Sequence, residues 1–144
     1  MTITEKIGEL HAGKKRVLFL CTHNSARSQM AEGLLRAMLG SRYEGYSAGV
    51  HATAVDPDAI RAMAEIGVDI SGQRSKGLDE VKEIGFDLVV TVCDRAKEAC
   101  PFLPGVKNPI HKSFEDPAAY VGEARMPAFR RVRDEIRSWI EEIF

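Results

Sequence analysis

Three cysteines carry the most reactive chemistry in this chain of 144 residues: Cys21, Cys93 and Cys100. The first stands in the run Arg16-Val17-Leu18-Phe19-Leu20-Cys21-Thr22-His23-Asn24-Ser25-Ala26-Arg27-Ser28. A short apolar strand ends on the cysteine, a tight polar loop follows, and an arginine and a serine open a helix. Such a joint points successive backbone N–H groups into one concavity at the positive end of a helix dipole, where a tetrahedral anion binds. The C-x5-R spacing lets the loop wrap the anion while Arg27 clamps two of its oxygens. Arg27 and the helix N-terminus favour a thiolate at Cys21, and Ser28 can donate a hydrogen bond to it. Asn24 suits tying the loop to itself or adopting a left-handed conformation. These residues predict an oxyanion-binding nucleophilic cysteine. The competing reading is an ordinary strand–turn–helix around a buried thiol.

Composition narrows the setting. One domain is expected at this length. A net charge of −1 gives no electrostatic case for nucleic acid or an anionic membrane surface. The apolar runs are strand-length, too short to span a bilayer. Residues 1–13 hold acidic residues and no apolar stretch of the secretory kind. A cytoplasmic protein is therefore expected, where thiols stay reduced and cysteines are better read as chemistry than as staples. The four histidines, His11, His23, His51 and His111, show no metal-ligand spacing,. His23 could tune the anion loop or simply face solvent.

The elements that position these residues follow from periodicity. Residues 1–14 form an extension, with Ile3, Ile7 and Leu10 at helical spacing,. Residues 15–144 form the domain. Strands are predicted over 15–21, 43–47, 86–92 and 107–112. Helices are predicted over 27–39, from Asp56-Pro57 to Gly67, over 78–84 and over 126–144. The last helix places Phe129, Val132, Ile136, Trp139, Ile140 and Ile143 in register, with Arg130, Arg131, Arg133 and Arg137 on a solvated face. The run Phe86–Val92 is nearly continuous and β-branched, the pattern of a strand buried on both faces of a parallel sheet,. Alternating strands and helices predict a three-layer α/β/α fold with a four-stranded parallel sheet. Ligands in such folds bind beyond the C-terminal strand ends, where Cys21 and Cys93 both fall.

The run Cys21-Thr22-His23-Asn24-Ser25-Ala26-Arg27-Ser28 resembles the phosphate loop of the low-molecular-weight tyrosine phosphatase fold. Continuing through Gln29-Met30-Ala31-Glu32-Gly33, it looks closer still to the thioredoxin-coupled arsenate reductases built on that fold. Cys93 and Cys100, in Thr91-Val92-Cys93-Asp94-Arg95-Ala96-Lys97-Glu98-Ala99-Cys100-Pro101, favour the reductases. A phosphatase needs no such pair, whereas reducing As(V) to As(III) takes two electrons, which two thiols supply as a disulfide. The resemblance implies a relay: Cys21 attacks arsenate, Cys93 then forms a disulfide with Cys21, and Cys100 takes over as a Cys93–Cys100 disulfide regenerated by reduced thioredoxin. No bound cofactor is implied, and a monomer is expected. The alternatives are a low-molecular-weight tyrosine phosphatase and a non-catalytic oxyanion or redox sensor. Were 93–100 helical, its two cysteine Cα atoms would lie about 10 Å apart, beyond the ~7 Å a disulfide tolerates. Oxidation is therefore expected to unwind the segment.

Two further positions take meaning from the resemblance. Asp116, in Asp116-Pro117, corresponds to a general acid that protonates the leaving oxygen. Plain helix capping is the competing role, and Asp56-Pro57 shows the same dipeptide elsewhere,. Ala118-Ala119 follow where phosphatases commonly carry a tyrosine, and Tyr120 comes later, which favours a small inorganic substrate. Some family members hold potassium beneath the loop, at positions matching Asn24, Glu32, Ser47 and Lys76. A lysine at the last repels or replaces the cation, so no metal is expected, with Lys76 pairing Glu32.

Overall fold

The structure, a computed structural model, describes residues 13–93 and 109–144. Four strands form one parallel sheet in the order β2-β1-β3-β4, with β1 Lys15–Cys21, β2 Tyr43–Gly49, β3 Leu88–Thr91 and β4 Ile110–His111. The helices among the described residues are α1 Arg27–Leu39, α2 Pro57–Ala64, α3 Leu78–Val81 and α4 Arg125–Ile143. Val17 to Cys21 of β1 and Val89 to Thr91 of β3 are buried without alternation. Both faces of the two central strands are thus covered, as parallel sheets require.

The core is aliphatic at its centre and aromatic at the lower end. Met30, Leu34 and Leu35 of α1 pack with Phe19, and Phe129, Val132, Ile136 and Ile140 of α4 complete the cluster. The C-terminal Phe144 meets Tyr43, Phe19 and Trp139 edge-on, at ring separations of 5.1, 6.4 and 6.1 Å. Edge-to-face pairing is the favoured geometry for such rings. Gly33 of α1 lets the helix approach the loop after α2 closely, since a Cβ there would lie 2.5 Å from Ile70 Cγ2.

Several expected boundaries move. The strand expected over 86–92 is Leu88–Thr91, with Asp87 N and Val92 N still bonded to Arg16 O and Leu20 O of β1 at 2.9 and 2.8 Å. Its start is fixed by Asp87, whose carboxylate accepts from Arg16 N at 2.8 Å and so replaces a ladder bond. The helix expected over 78–84 is four residues long. Ile84 N then bonds Val81 O in a tighter turn, and Gly85 leaves with φ 77°, where a side chain would be strained. The second strand runs two residues further than expected, to Gly49. The fourth is Ile110–His111, and residues 107 and 108 of the expected strand lie outside the described residues. The helical reading of the first residues and the unwinding of 94–105 fall outside them as well.

Two residues of the last helix depart from expectation. Arg133 is buried at 8% exposure rather than solvated. It donates to Ala62 O at 2.8 Å, Glu65 Oε1 at 3.0 Å and Asp134 Oδ1 at 2.8 Å, so its charge is paired where it lies,. Ile143 is 42% exposed, because Phe144 takes the core position at this end.

Candidate active site

The loop from Cys21 to Ala26 is held from outside by its carbonyl groups. Cys21 O, Thr22 O, His23 O and Ser25 O accept from the backbone N–H groups of Val50, His51, Thr53 and Asp56, at 3.1, 2.7, 3.2 and 2.9 Å. Asn24 O accepts from Gln29 Nε2 at 3.1 Å, and Ala26 O from Met30 N at 2.9 Å. With every carbonyl engaged from behind, the amide N–H groups face the opposite side. Among the described residues, none accepts from the N–H groups of residues 22–28. Ala26 stands at the helix N-cap, and its methyl group cannot cap the first turn. The loop is therefore a row of unspent donors at the positive end of α1.

Asn24 fixes that geometry. Its φ of 51° is the left-handed conformation a non-glycine residue adopts only with local support,. Oδ1 accepts from Gln29 Nε2 and from Lys76 N, both at 2.8 Å, while Nδ2 donates to Ser28 Oγ at 2.8 Å. Ser28 Oγ lies 2.8 Å from Cys21 Sγ. Since Asn24 supplies a hydrogen to the serine oxygen, the hydroxyl hydrogen is directed to the sulfur. A hydroxyl group and the N-terminus of α1 thus both stand at the Cys21 sulfur.

Cys21, His23, Ser25, Ala26 and Arg27 line a cavity of about 130 Å³ with Thr53, Asp116 and Ala118. Drug-sized ligands occupy sites of ~300 Å³ and more, so this cavity is a small one. Arg27 donates to Phe114 O at 3.2 Å, which steadies its guanidinium. Its Nη2 stands 3.8 Å from Asp116 Oδ2. Asp116 caps a turn and stands at the cavity wall. Oδ1 caps the 3₁₀ turn Pro117–Ala119 by accepting from Ala118 N at 3.0 Å, and the residue also lines the cavity. Asp56 caps α2 in the same way, through Asp58 N at 2.8 Å, but its second oxygen is bound to Arg125 at 2.6 Å. Tyr120 is turned from the cavity: its hydroxyl donates to Glu115 Oε2 at 2.8 Å and Arg131 covers its ring. That hydrogen bond and the Arg131 guanidinium hold the Glu115 carboxyl below its usual range.

Cys93 ends up beside the loop. Val92 N donates to Leu20 O at 2.8 Å, continuing the ladder past β3. The next step brings Thr22 Oγ1 within 3.2 Å of Cys93 Sγ. Both thiols are buried and free. Cys100 lies outside the described residues.

Beneath the loop, Ser47 Oγ donates to Glu32 Oε1 at 2.9 Å, and the Lys76 ammonium stands 3.8 Å from the same oxygen while donating to Arg74 O at 2.7 Å. Burial pushes the Lys76 pKa down, and Glu32 opposes that shift. The expected Lys76–Glu32 pair is therefore formed.

Three supporting residues escape a reading of the sequence. Thr53 joins the cavity only through the return of the chain after β2. Gln29, fully buried, spans Asn24 and Arg74 O, the latter at 3.0 Å. Gly49 lies against the loop so closely that a Cβ would fall 2.7 Å from Asn24 N and 2.8 Å from His23 C. Its place at the end of a strand was the single local sign.

Comparison with known proteins follows the same lines. Residues 16–144 match the family model described as low molecular weight phosphotyrosine protein phosphatase. A protein of Halalkalibacterium halodurans named arsenate reductase is 50% identical over 125 residues, covering 85% of this chain and 90% of its own. Among solved structures, one titled as an arsenate reductase in the phosphate binding state aligns at TM-score 0.70 and 31% identity, over 90% of this chain and 95% of the other. A low molecular weight protein tyrosine phosphatase from T. tengcongensis aligns at TM-score 0.73 and 28% identity, over 90% and 97%.

Proposed function

Because this chain belongs to the low molecular weight phosphotyrosine protein phosphatase family, and is 50% identical over 125 residues to a protein named arsenate reductase, we propose that it reduces arsenate to arsenite through its cysteines. The observation that carries this reading is the second thiol. Cys93 Sγ is hydrogen-bonded to Thr22, the residue next to the nucleophile. Hydrolysis has no use for it.

In the first step the Cys21 thiolate attacks arsenic, held by the loop N–H groups and Arg27. A sulfur–arsenic bond forms and an arsenic–oxygen bond breaks, Asp116 giving its proton to the departing oxygen, which leaves as water. Cys93 then attacks Cys21 Sγ. The sulfur–arsenic electron pair returns to arsenic, which leaves as arsenite, and a Cys21–Cys93 disulfide remains. Two electrons have passed from two thiols to one arsenic. Cys100 next displaces Cys21 from Cys93, and reduced thioredoxin clears the Cys93–Cys100 disulfide. The relay works on reduced thiols, which fits a cytoplasmic protein. Thr22, His23, Asn24, Ser25, Ala26 and Ser28 serve the oxyanion and the loop. In this reading residues 1–14 are an extension to the catalytic domain; the family match covers residues 16–144. The Lys76 ammonium takes the part of a metal ion.

A phosphatase reading has one observation in its favour: Cys21, Arg27 and Asp116 line a single cavity, and these suffice for ester hydrolysis. Arsenate-dependent NADPH consumption with thioredoxin and its reductase separates the two. Turnover that vanishes in Cys93→Ser and Cys100→Ser supports the reductase. Hydrolysis of aryl phosphates with no arsenate turnover in the unaltered protein would leave the phosphatase.

A further inference from the structure

The two Asp-Pro steps meet at one side chain. Arg125, the first residue of α4, donates through Nε to Asp58 Oδ2 and through Nη2 to Asp56 Oδ2, both at 2.6 Å. Its Nη1 donates to Ala118 O at 3.0 Å and to Tyr120 O at 3.2 Å. The guanidinium lies over the Phe129 ring, 5.1 Å from its centre, which fixes the plane of the fork. One face of Arg125 thus grips the start of α2, whose Asp56 N holds Ser25 O of the anion loop at 2.9 Å. The other face grips the turn that Asp116 caps.

We propose that Arg125 is a positioning residue for the general acid: it sets the Asp116 turn against the anion loop by bridging the turn's carbonyls to Asp56 and Asp58. The inference rests on the reading of Asp116 as proton donor. The need for such a part is physical. The turn holds Asp116 through its carbonyl, which accepts from Ala119 N at 3.2 Å, but its side chain only through Ala118 N, and that side chain is 40% exposed. A turn of three residues has no ladder to hold it. An acid displaced by an ångström from the leaving oxygen loses about 10²-fold in rate. A planar fork with five donors can join two carboxylates and two carbonyls at once, which a lysine ammonium cannot. Arg131 closes the outer side of the same loop, donating to Glu115 Oε1 at 2.7 Å, so the turn is held from both flanks by α4.

The test is a cycle of Arg125→Ala and Asp116→Asn, scored as steady-state arsenate reduction with saturating thioredoxin. Asp116→Asn is expected to lower kcat by about 10²-fold, and Arg125→Ala by about 10- to 50-fold with KM for arsenate within about twofold. Together they should cost no more than Asp116→Asn alone, because Arg125 acts only through Asp116. Arg125→Lys should recover part of the loss at most, and Arg125→Gln carries the same cycle should the alanine variant not fold. Inhibition by phosphate reports on an intact loop and should stay within about twofold. Losses that multiply in the double variant, a normal kcat in Arg125→Ala, or full activity in Arg125→Lys would overturn the proposal while leaving the acid in place. A normal kcat in Asp116→Asn would remove the acid and the proposal with it.

Discussion

Cys21 and Cys93 stand in equivalent places, at the C-terminal ends of neighbouring parallel strands, and both are buried. Their surroundings differ. The end of β1 is built around the sulfur, with a loop whose carbonyls are all engaged outward, a serine hydroxyl 2.8 Å away and an asparagine that orients that hydroxyl. Among the described residues, the end of β3 offers one hydroxyl, Thr22 Oγ1, at 3.2 Å. Strand ends in an open α/β sheet are where ligands gather, but position alone does not make a nucleophile. The first sulfur has the surroundings that the proposed attacking thiol needs. The second, among the described residues, is held beside Thr22. That asymmetry suits a sequence in which one thiol attacks the oxyanion and the other resolves the adduct.

The largest break in the comparison is Cys21→Ser. It should abolish arsenate reduction, by about 10³-fold or more in the coupled assay, and with it any hydrolysis of aryl phosphates. Ser28→Ala makes the end of β1 resemble the end of β3. Losing a hydrogen bond to a charged sulfur costs about 1.5–3 kcal/mol, so the rate of Cys21 alkylation at neutral pH and kcat should each fall by about 10- to 100-fold. Gly49→Ala attacks the packing of the loop and leaves Cys93 alone. The new methyl group would press on Asn24 N, lowering stability by about 1–3 kcal/mol and weakening phosphate binding, both readable by thermal unfolding with and without phosphate. Thr22→Val removes the partner that Cys93 has among the described residues and should slow release of arsenite by about three- to tenfold. Were Thr22→Val costlier than Ser28→Ala, the asymmetry would be wrong. Exchanging potassium for sodium at fixed ionic strength should change neither Tm nor kcat, because the Lys76 ammonium already stands beside Glu32.

How far the sequence could be read depended on the range of the interaction. The strand–loop–helix joint is local, and its consequences could be reasoned through: Asn24 left-handed, Ser28 against the thiol, Arg27 in the wall. The parallel sheet followed from runs with no alternation. What could not be read is whatever depends on distant chain segments. Arg133 belongs to a helix rich in arginine, and only the carbonyl of Ala62 and the carboxylate of Glu65 explain its burial. The two Asp-Pro steps are alike locally, and both cap the turn that follows. They diverge in what meets the second oxygen, Arg125 for Asp56 and the cavity beside Arg27 for Asp116. Gly49 is demanded by a backbone more than twenty residues earlier in the chain.

The central claim is that the end of β1 attacks and the end of β3 resolves. The direct measurement is a single turnover of the reduced Cys100→Ser variant with arsenate and no thioredoxin, followed by arsenite determination and disulfide mapping of the peptides. The account predicts one arsenite per chain and a disulfide joining Cys21 to Cys93. Arsenite released with both thiols still free, or a disulfide that leaves out Cys21, would contradict it.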